Sequence, residues 1–359
     1  MNRKEKPVDW KRILESAPVT ASAPCRVDVG GTLDIRTFSY PLRHLDPCTV
    51  NIALDLRTSV RLGPYRAGRV RVSSRGFPDA EFPAGQASFR HPLGLMFAVA
   101  AFFQAAGVHI AVHSASPPRS ALGGSSVAAV ALVGAFMQAG RRPSEGPPAI
   151  DRRSVARVAH AIEESIAGVP CGFQDQLAAV FGGVNAWHWL APPARVMFRR
   201  EALVARRGWQ GLERRLLTAY VGVPHASVDI NGRWVQQFVS GRFRREWADI
   251  IACTRSFADA LRRRDYVAAG AAMNREMDLR RRMTPAVLDG VGRQLVAAAR
   301  RCGCGARIAG AGGGGCLWAI GPVDAIARLK PVWEGILNAR RHAHLLEARV
   351  AGEGLTIRS

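Results

Sequence analysis

Lysine is nearly missing from this 359-residue chain. Only Lys4, Lys6, Lys11 and Lys330 occur, so of 50 basic residues all but these are arginine. None of the lysines follows a glycine, which excludes the phosphate loop G-x-x-x-x-G-K-[ST]. The protein-kinase signatures are absent as well. Long apolar runs are also missing, since no stretch approaches the roughly 20 residues of a membrane span. The longest, Leu93 to Ala106, follows Pro92 and contains Gln104, and reads as a buried helix. The N-terminus lacks a signal-peptide apolar region, so a cytoplasmic location without a membrane partner is expected. The seven cysteines are odd in number and without framework spacing, which suggests reduced thiols. Cys302-Gly303-Cys304 has no second pair or histidines at zinc-ligand spacing, and reads as packing at a helix end.

Arginine dominates what is present. The formal net charge is +22, with local clusters at Arg199-Arg200, Arg262 to Arg264 and Arg280 to Arg282. A nucleic-acid binder would interleave basic residues with aromatics or carry a reading motif. No zinc finger, ribonucleoprotein signature or basic zipper is found, so no nucleic-acid partner is expected. The charge reads as arginine on solvated helix faces, with a polyanion-binding surface as the competing reading. Hydrophobic residues at 48% and charged residues at 22% match a globular protein. The length suits two domains.

Periodicity and turn residues place the elements. Residues 1–19 read as a basic tail and short amphipathic helix, and Ser22 to Asp28 as an extended segment entering the turn at Gly30-Gly31. Val50 to Leu62, Arg69 to Ser73 and Val108 to His113 read as strands, and Pro92 to Ala106 as a helix with Gly107 as its C-cap. A helix from Ser125 to Gly140 precedes a loop at Arg141 to Pro148, and Asp151 caps a helix to about Ala167. Ala186 to Leu190 and Leu216 to Val223 are strands, arginine-rich helices fill Val228 to Arg282, and Pro285 opens another to about Arg301. Arg307 to Ala309 and Cys316 to Ile320 flank a glycine loop. A helix over Val323 to Arg341, bent near Pro331, leads to a last strand near Leu345 to Val350. The pattern is α+β, with domains at 20–200 and 201–359 and the boundary near residues 190 to 215.

Three glycine-bearing segments carry the chemistry. Ser120-Ala-Leu-Gly-Gly-Ser-Ser126 feeds an alanine-rich helix, a junction that offers unpaired N–H groups and the positive end of a helix dipole to an anion. Gly123 and Gly124 admit close approach of a phosphate, while Ser125 and Ser126 can cap the helix or face a metal. An ordinary capped helix is the plain alternative. Gly310-Ala-Gly-Gly-Gly-Gly315 matches G-x-G-x-x-G, but a strand follows it where a dinucleotide fold needs a helix. Four glycines in a row indicate instead that a ligand or a second loop comes close. Gly168-Val-Pro-Cys-Gly-Phe-Gln-Asp-Gln176 sets Asp175 downstream of Glu163 and Glu164. Asp175 reads either as a helix cap or as a general base near a phosphate loop, with a glutamate of the preceding helix as metal ligand.

Together and in this order, over about residues 20 to 359, these segments resemble the GHMP kinases, the small-molecule kinases named after galactokinase, homoserine kinase, mevalonate kinase and phosphomevalonate kinase. Ser22-Ala-Pro-Cys-Arg-Val-Asp-Val-Gly-Gly-Thr-Leu-Asp34 is similar to the family's first motif. Ala121-Leu-Gly-Gly-Ser-Ser126 is similar to its phosphate loop, and Ile308-Ala-Gly-Ala-Gly-Gly-Gly-Gly315 to its third motif. Gly172-Phe-Gln-Asp-Gln-Leu-Ala-Ala-Val-Phe-Gly-Gly-Val-Asn185, with Met283-Thr-Pro285, resembles D-glycero-D-manno-heptose 7-phosphate kinases. Gly168-Val-Pro-Cys-Gly172 with Asp175-Gln176 also resembles galactokinases.

The resemblance implies a ribosomal-protein-S5-like N-terminal domain and a ferredoxin-like C-terminal domain, with the active site between them. It implies ATP and Mg²⁺ as cofactors and a sugar or sugar phosphate as small-molecule substrate, phosphorylated on its anomeric hydroxyl. By position, Asp175 is the catalytic aspartate that orients the acceptor hydroxyl, and Arg26 stabilises charge there. Ala121, Leu122, Gly123, Gly124, Ser125 and Ser126 bind the nucleotide. Ser125 and Glu163 hold Mg²⁺, with Glu164 in reserve if the register slips by one. Gly31, Thr32, Asp34, Gly172, Gln174, Gly312 and Gly313 face the substrate.

The sequence departs from the family pattern at three places. Gly124 stands where a first serine is usual, and Phe173 replaces a lysine of the heptose kinases. Ala121 stands where glycine is usual, which requires residue 121 to avoid a positive φ. A different acceptor (galactose, fucose, arabinose or a non-sugar alcohol) and a catalytically impaired nucleotide- or sugar-binding regulator are the competing readings. Acceptor choice is expected from loops at Phe38 to Asp46 and near Pro224-His225. A homodimer is left open.

Overall fold

The computed structural model describes residues 8–141, 151–168, 170–224 and 227–358. The first residues of the basic tail, most of the expected loop from Arg141 to Pro148 and His225 lie outside the described residues. The first part of the chain runs α1 (Trp10–Ser16), β1 (Val19–Val29), α2 (Arg36–Ser39), β2 (Cys48–Pro64), β3 (Arg69–Ser74), β4 (Ala80–Pro83), α3 (Gly94–Phe102) and β5 (Val108–Ser114). It continues through α4 (Gly124–Ala139), α5 (Arg152–Ile166), α6 (Gln174–Phe181), β6 (Val184–Trp189) and β7 (Phe198–Ala202). The second part runs α7 (Trp209–Glu213), β8 (Leu216–Tyr220), α8 (Ser227–Val239), α9 (Arg244–Arg263), α10 (Tyr266–Met283) and α11 (Gly290–Arg301). It ends with β9 (Gly305–Ile308), β10 (Cys316–Ile320), α12 (Val323–Leu337), β11 (His344–Leu346) and β12 (Thr356–Arg358).

Strand β2 organises the first sheet because it is 17 residues long and can serve three neighbours. It pairs along its length with β1, by its first residues with β6 and by its last with β5, always antiparallel. The order is β12-β1-β2-β5-β3-β4, with β6 and then β7 extending the sheet from β2. Only β3 and β5 run parallel among the described pairs. Helix α4 lies on β1 and β2, with α3, α5 and α6 around its other sides. Its residues Ser126 to Phe136 are all buried. An alanine- and valine-rich helix without a polar face suits such a place, since it can be covered all round.

The second sheet is antiparallel, in the order β11-β8-β10-β9. Helix α9 packs on α10, and α10 on β9. Of the three arginine clusters, Arg199-Arg200 lies on β7, whereas the other two fall at helix ends, Arg262-Arg263 closing α9 and Arg280 to Arg282 closing α10. Cations there complement the negative end of the helix dipole. Among the described residues no helix is long and apolar enough to cross a membrane.

Four boundaries differ from expectation. Helix α3 ends at Phe102, and Gly107 (φ +70) opens β5 instead of capping it, because Gln104 already turns left-handed at φ +50. The helix expected from Pro285 is a 3-10 turn, Pro285–Val287, and α11 starts only where the Asp289 side chain accepts from Gly292 N at 2.7 Å. Helix α12 ends at Leu337 with Pro331 inside it. The last strand is short at His344–Leu346, and the chain continues to β12, which pairs with β1 of the first sheet. Strands β4, β7 and β12 are edge pieces that the alternation pattern did not mark. Cys302 is the C-cap of α11, as expected of a packing cysteine.

Candidate active site

The start of α4 is left open. Gly123 occupies the N-cap with φ +79, and no side chain bonds back to the first N–H groups of the helix. The two serines do not cap it. Ser125 Oγ donates to Glu163 Oε1 at 3.3 Å, and Ser126 hydrogen-bonds to the same carboxyl group. The helix start therefore presents its N–H groups and dipole to an anion. A Cβ on Gly124 would meet nothing nearer than Ser116 Oγ at 4.0 Å, so glycine is not sterically required there.

Ala121 corrects the expectation about its backbone, for its φ is +62. A left-handed alanine costs roughly 1–2 kcal/mol. Two neighbours hold it: its carbonyl accepts from Arg26 Nη1 at 2.7 Å, and Gly315 packs on its side chain. A Cβ on Gly315 would lie 2.7 Å from Ala121 Cβ and from Ser120 O. Gly315, the last member of the run, is thus required by the close approach of the loop before α4, whereas Gly314 backs onto Val223 and Pro224.

Asp175 lies in the first turn of α6, where Phe173 is the N-cap and makes no side-chain cap bond. The capping alternative falls. Its carboxylate faces Arg26 instead, with Oδ1 at 2.7 Å from both Nε and Nη2. Burial works against the Arg26 charge, but Asp175 and Asp28 outweigh it and hold the guanidinium above the ordinary arginine range. A Cβ on Gly123 would lie 3.1 Å from Asp175 Oδ2, so the carboxylate stands directly over the loop before α4. Phe173 is buried against His160 and Phe198, ring centroids 4.6 and 5.8 Å away, and cannot bring charge to the cleft. Arg26 is the cation that Asp175 meets.

Glu163, half-buried on α5, also accepts from Gln176 Nε2 at 2.7 Å. Burial pushes its carboxyl well above the usual range, and the nearby Asp175 charge adds to this against the bonds from Ser126, Gln176 and Ser125. Glu164 turns away to Arg36. Among the described residues no three His, Cys, Asp or Glu side chains could enclose a metal ion by themselves. Among the described residues the Glu163 carboxylate meets no cation, and its place beside two hydroxyls at an open helix start fits Mg²⁺, which usually relies on one or two carboxylates plus substrate phosphates.

A second group of polar side chains is built around Asp34. Its Oδ2 accepts from Gln174 N at 3.0 Å, and a Cβ on Gly172 would fall 1.8 Å from that oxygen, so only glycine fits beside it. Gln174 is itself fixed, accepting from Asn51 Nδ2 at 2.9 Å, while Trp187 Nε1 donates to Asn51 at 2.8 Å. Burial pushes Asp34 up to about 7, opposed by the Gln174 N–H and reinforced by Asp175. Between the ordinary carboxylate pKa of about 4 and about 7, the folded protein keeps this proton while the unfolded chain has lost it. This contribution to stability therefore falls as pH rises through that window and levels off above it. Asp34→Asn is expected to gain stability over the parent protein progressively from pH 5 to 8. A difference in denaturant midpoint that stays flat with pH would contradict this.

These groups line a cleft of about 1310 Å³ that takes Arg26, Thr32, Asp34, Ala121, Gly123 to Ser126, Glu163, Gly172, Gln174 and Asp175 from the first domain. Tyr220, Pro224, Asn231, Gly310 and Ala311 come from the second. Four expected site residues do not line it. Leu122 is core. Gly31 packs on Asp28, whose Oδ2 would lie 2.2 Å from an added Cβ. Gly312 is close-packed on Ile308 and Val287, and Gly313 N donates to Val287 O. Sequence reasoning gave no role to Asp28, Glu276, Arg280 or Arg307, all wholly buried. A charged residue amid a buried strand such as β1, and the Glu276/Arg280 spacing of four, were the available signals.

An open helix start under a carboxylate–arginine pair, in a cleft between two α+β domains, is the architecture of a two-domain small-molecule kinase. The sequence matches the model of the GHMP kinases N-terminal domain at residues 93–183 and that of the GHMP kinases C-terminal domain at residues 257–333. The chain belongs to the GHMP kinase family.

Three solved structures illustrate the fold likeness. A D-glycero-D-manno-heptose 1-phosphate kinase from Bacteriodes thetaiotaomicron is 16% identical with TM-score 0.71, covering 95% of this chain and 99% of its own. Galactokinase of Lactococcus lactis, complexed with galactose, is 14% identical with TM-score 0.67, covering 97% of each chain. Phosphomevalonate kinase of Streptococcus pneumoniae, in complex with phosphomevalonate and AMPPNP, is 12% identical with TM-score 0.72, covering 92% of this chain and 99% of its own. No curated protein matches the sequence.

Proposed function

We propose that this protein is an ATP- and Mg²⁺-dependent kinase that phosphorylates the anomeric hydroxyl of a sugar or sugar phosphate, in the manner of heptose 7-phosphate kinases. The observation that carries this reading is the Asp175 carboxylate, held by Arg26 above the open start of α4. Phosphoryl transfer needs in-line placement and neutralised charge more than covalent help. Asp175 orients the acceptor hydroxyl and takes its proton late, as suits a weak base. Arg26 faces the same point and offsets charge on the moving group. The first-turn N–H groups of α4 receive the nucleotide phosphates, and Ser125 with Glu163 holds the metal. When bound, Mg²⁺ neutralises phosphate oxygens and orients them for displacement. Asp34 and Thr32 bind acceptor hydroxyls, with Gly172 leaving room for Asp34.

The heptose assignment draws on the run from Gly172 to Asn185 and on the fold likeness to an enzyme named for a heptose 1-phosphate. The test is a panel of heptose 7-phosphate, heptose 1-phosphate, galactose, fucose, arabinose and mevalonate with Mg-ATP, followed by phosphorus NMR. A new signal coupled to an anomeric proton, strongest with heptose 7-phosphate and abolished by EDTA, is expected. Transfer only to mevalonate would overturn the acceptor class, and transfer to nothing would overturn the kinase reading.

A further inference from the structure

Six charged side chains alternate in sign along one path from the second domain to the reacting pair. Arg280 on α10 donates from Nε to Glu276 Oε1 at 2.6 Å, and Glu276 Oε2 accepts from Arg307 Nε at 2.9 Å. Arg307, on β9, crosses to the first domain, where Nη1 lies 3.0 Å from Asp28 Oδ2 and also donates to the Asp28 carbonyl. Asp28 Oδ1 accepts from Gly310 N at 2.7 Å and stands 3.6 Å from Arg26 Nη1. Arg26 then holds Asp175. Three carboxylates and three guanidinium groups leave the path neutral overall. At the far end Arg280 Nη2 donates to Gly31 O at 2.6 Å, fixing the turn that leads to Thr32 and Asp34.

Buried ion pairs of this kind are seldom more stabilising than apolar side chains of the same volume. What they can supply is orientation, because a guanidinium between two fixed carboxylates has one satisfactory setting. Arg26 has Asp28 on one side and Asp175 on the other. Asp28 cannot shift, since Arg307 and Gly310 N occupy its two oxygens and Gly31 packs on it. Burial raises Asp28, but Arg307 and Arg26 overcome it and hold the carboxyl below the usual range, so the path stays charged.

We infer that Arg307 and Asp28 are positioning residues for transfer, through which the second domain sets the orientation of Arg26 and hence of Asp175. This rests on the reading of Asp175 and Arg26 as the reacting pair. Arg307→Lys keeps the charge and loses the fork, whereas Asp28→Asn keeps the shape and loses the charge. Either is expected to lower kcat by about 10- to 100-fold, as misplacement at a distance does, with the Kd for a non-hydrolysable ATP analogue within about twofold of the parent value.

The second readout does not depend on turnover. In arginine-labelled protein the Nε–Hε signal of Arg26, identified by its loss in Arg26→Lys, is expected to move in Arg307→Lys, since the two side chains share Asp28 as a partner. An unmoved Arg26 signal, or a kcat within about twofold of the parent value in a folded variant, would overturn the inference. Should Arg307→Lys not fold, Asp28→Asn carries the same two measurements. If the parent protein transferred no phosphoryl group, the kinase reading would fall and the Arg26 signal alone would decide whether the domains are coupled.

Discussion

Asp175→Asn is expected to lower phosphoryl transfer by about two to four orders of magnitude while leaving nucleotide affinity nearly intact, the range a positioned proton acceptor supplies. The substitution preserves the size of the side chain, so α6 and the first turn that carries it keep their place. What changes is charge. Asparagine cannot take the acceptor proton, and Arg26 loses the carboxylate that meets its Nε and Nη2 at 2.7 Å. The proposed nucleotide contacts are other groups, the open start of α4 and the Ser125–Glu163 pair, whose hydrogen bond does not involve Asp175. Single-turnover rates beside equilibrium binding of a non-hydrolysable ATP analogue separate the two effects. Equal transfer by variant and parent would remove Asp175 from catalysis altogether.

Glu276→Ala is expected to give the largest loss of stability of any single substitution away from the cleft. Its carboxylate bridges Arg280 and Arg307, and all three side chains are inaccessible to solvent. Burial alone would raise its pKa, yet Arg280 and Arg307 hold it below the usual range. Removing it leaves two guanidinium groups without that partner in a region water does not reach, one of them with Nη1 already unpaired. Breaking a buried pair in this way costs about 3–5 kcal/mol. Thermal unfolding should shift down accordingly. The paired replacement Glu276→Leu with Arg280→Leu is expected to recover much of the loss, because charge is removed in balance. A Glu276→Ala protein that melts with the parent would show that these charges are solvated in a way the buried path does not allow.

Much of this architecture was legible from local patterns. The alternation within β2, the alanine-rich α4 and the cap at Asp151 are written in neighbouring residues, where backbone propensity and side-chain period act over a few positions, whereas the start of α11 at Asp289 was expected at Pro285. Edge strands escaped for the same reason. β12 is three residues long and gains its meaning only from β1, more than 300 residues earlier, to which Thr20 and Arg358 belong as partners. Among the site residues, the family resemblance singled out Asp175, Arg26, Ser125, Glu163 and Asp34, and all five line one cleft. It misjudged Gly312 and Gly313, because a glycine run does not say which of its members faces a ligand and which is packed on Val287.

The sequence by itself determined that an anion-accepting helix start, a glycine run and an aspartate would occur in one order, since each is a local arrangement of backbone and a few side chains. Only the tertiary structure decided what each is for. Ala121 accepts a positive φ that its own side chain disfavours, because Arg26 and Gly315 hold it from two directions. Asp175 is no cap, because Arg26 on a strand 149 residues away takes its carboxylate. Buried charges impose the same condition on the whole path to Arg280. A carboxylate out of water must have a partner, and which arginine among 46 supplies it is set by packing in three dimensions rather than by spacing along the chain.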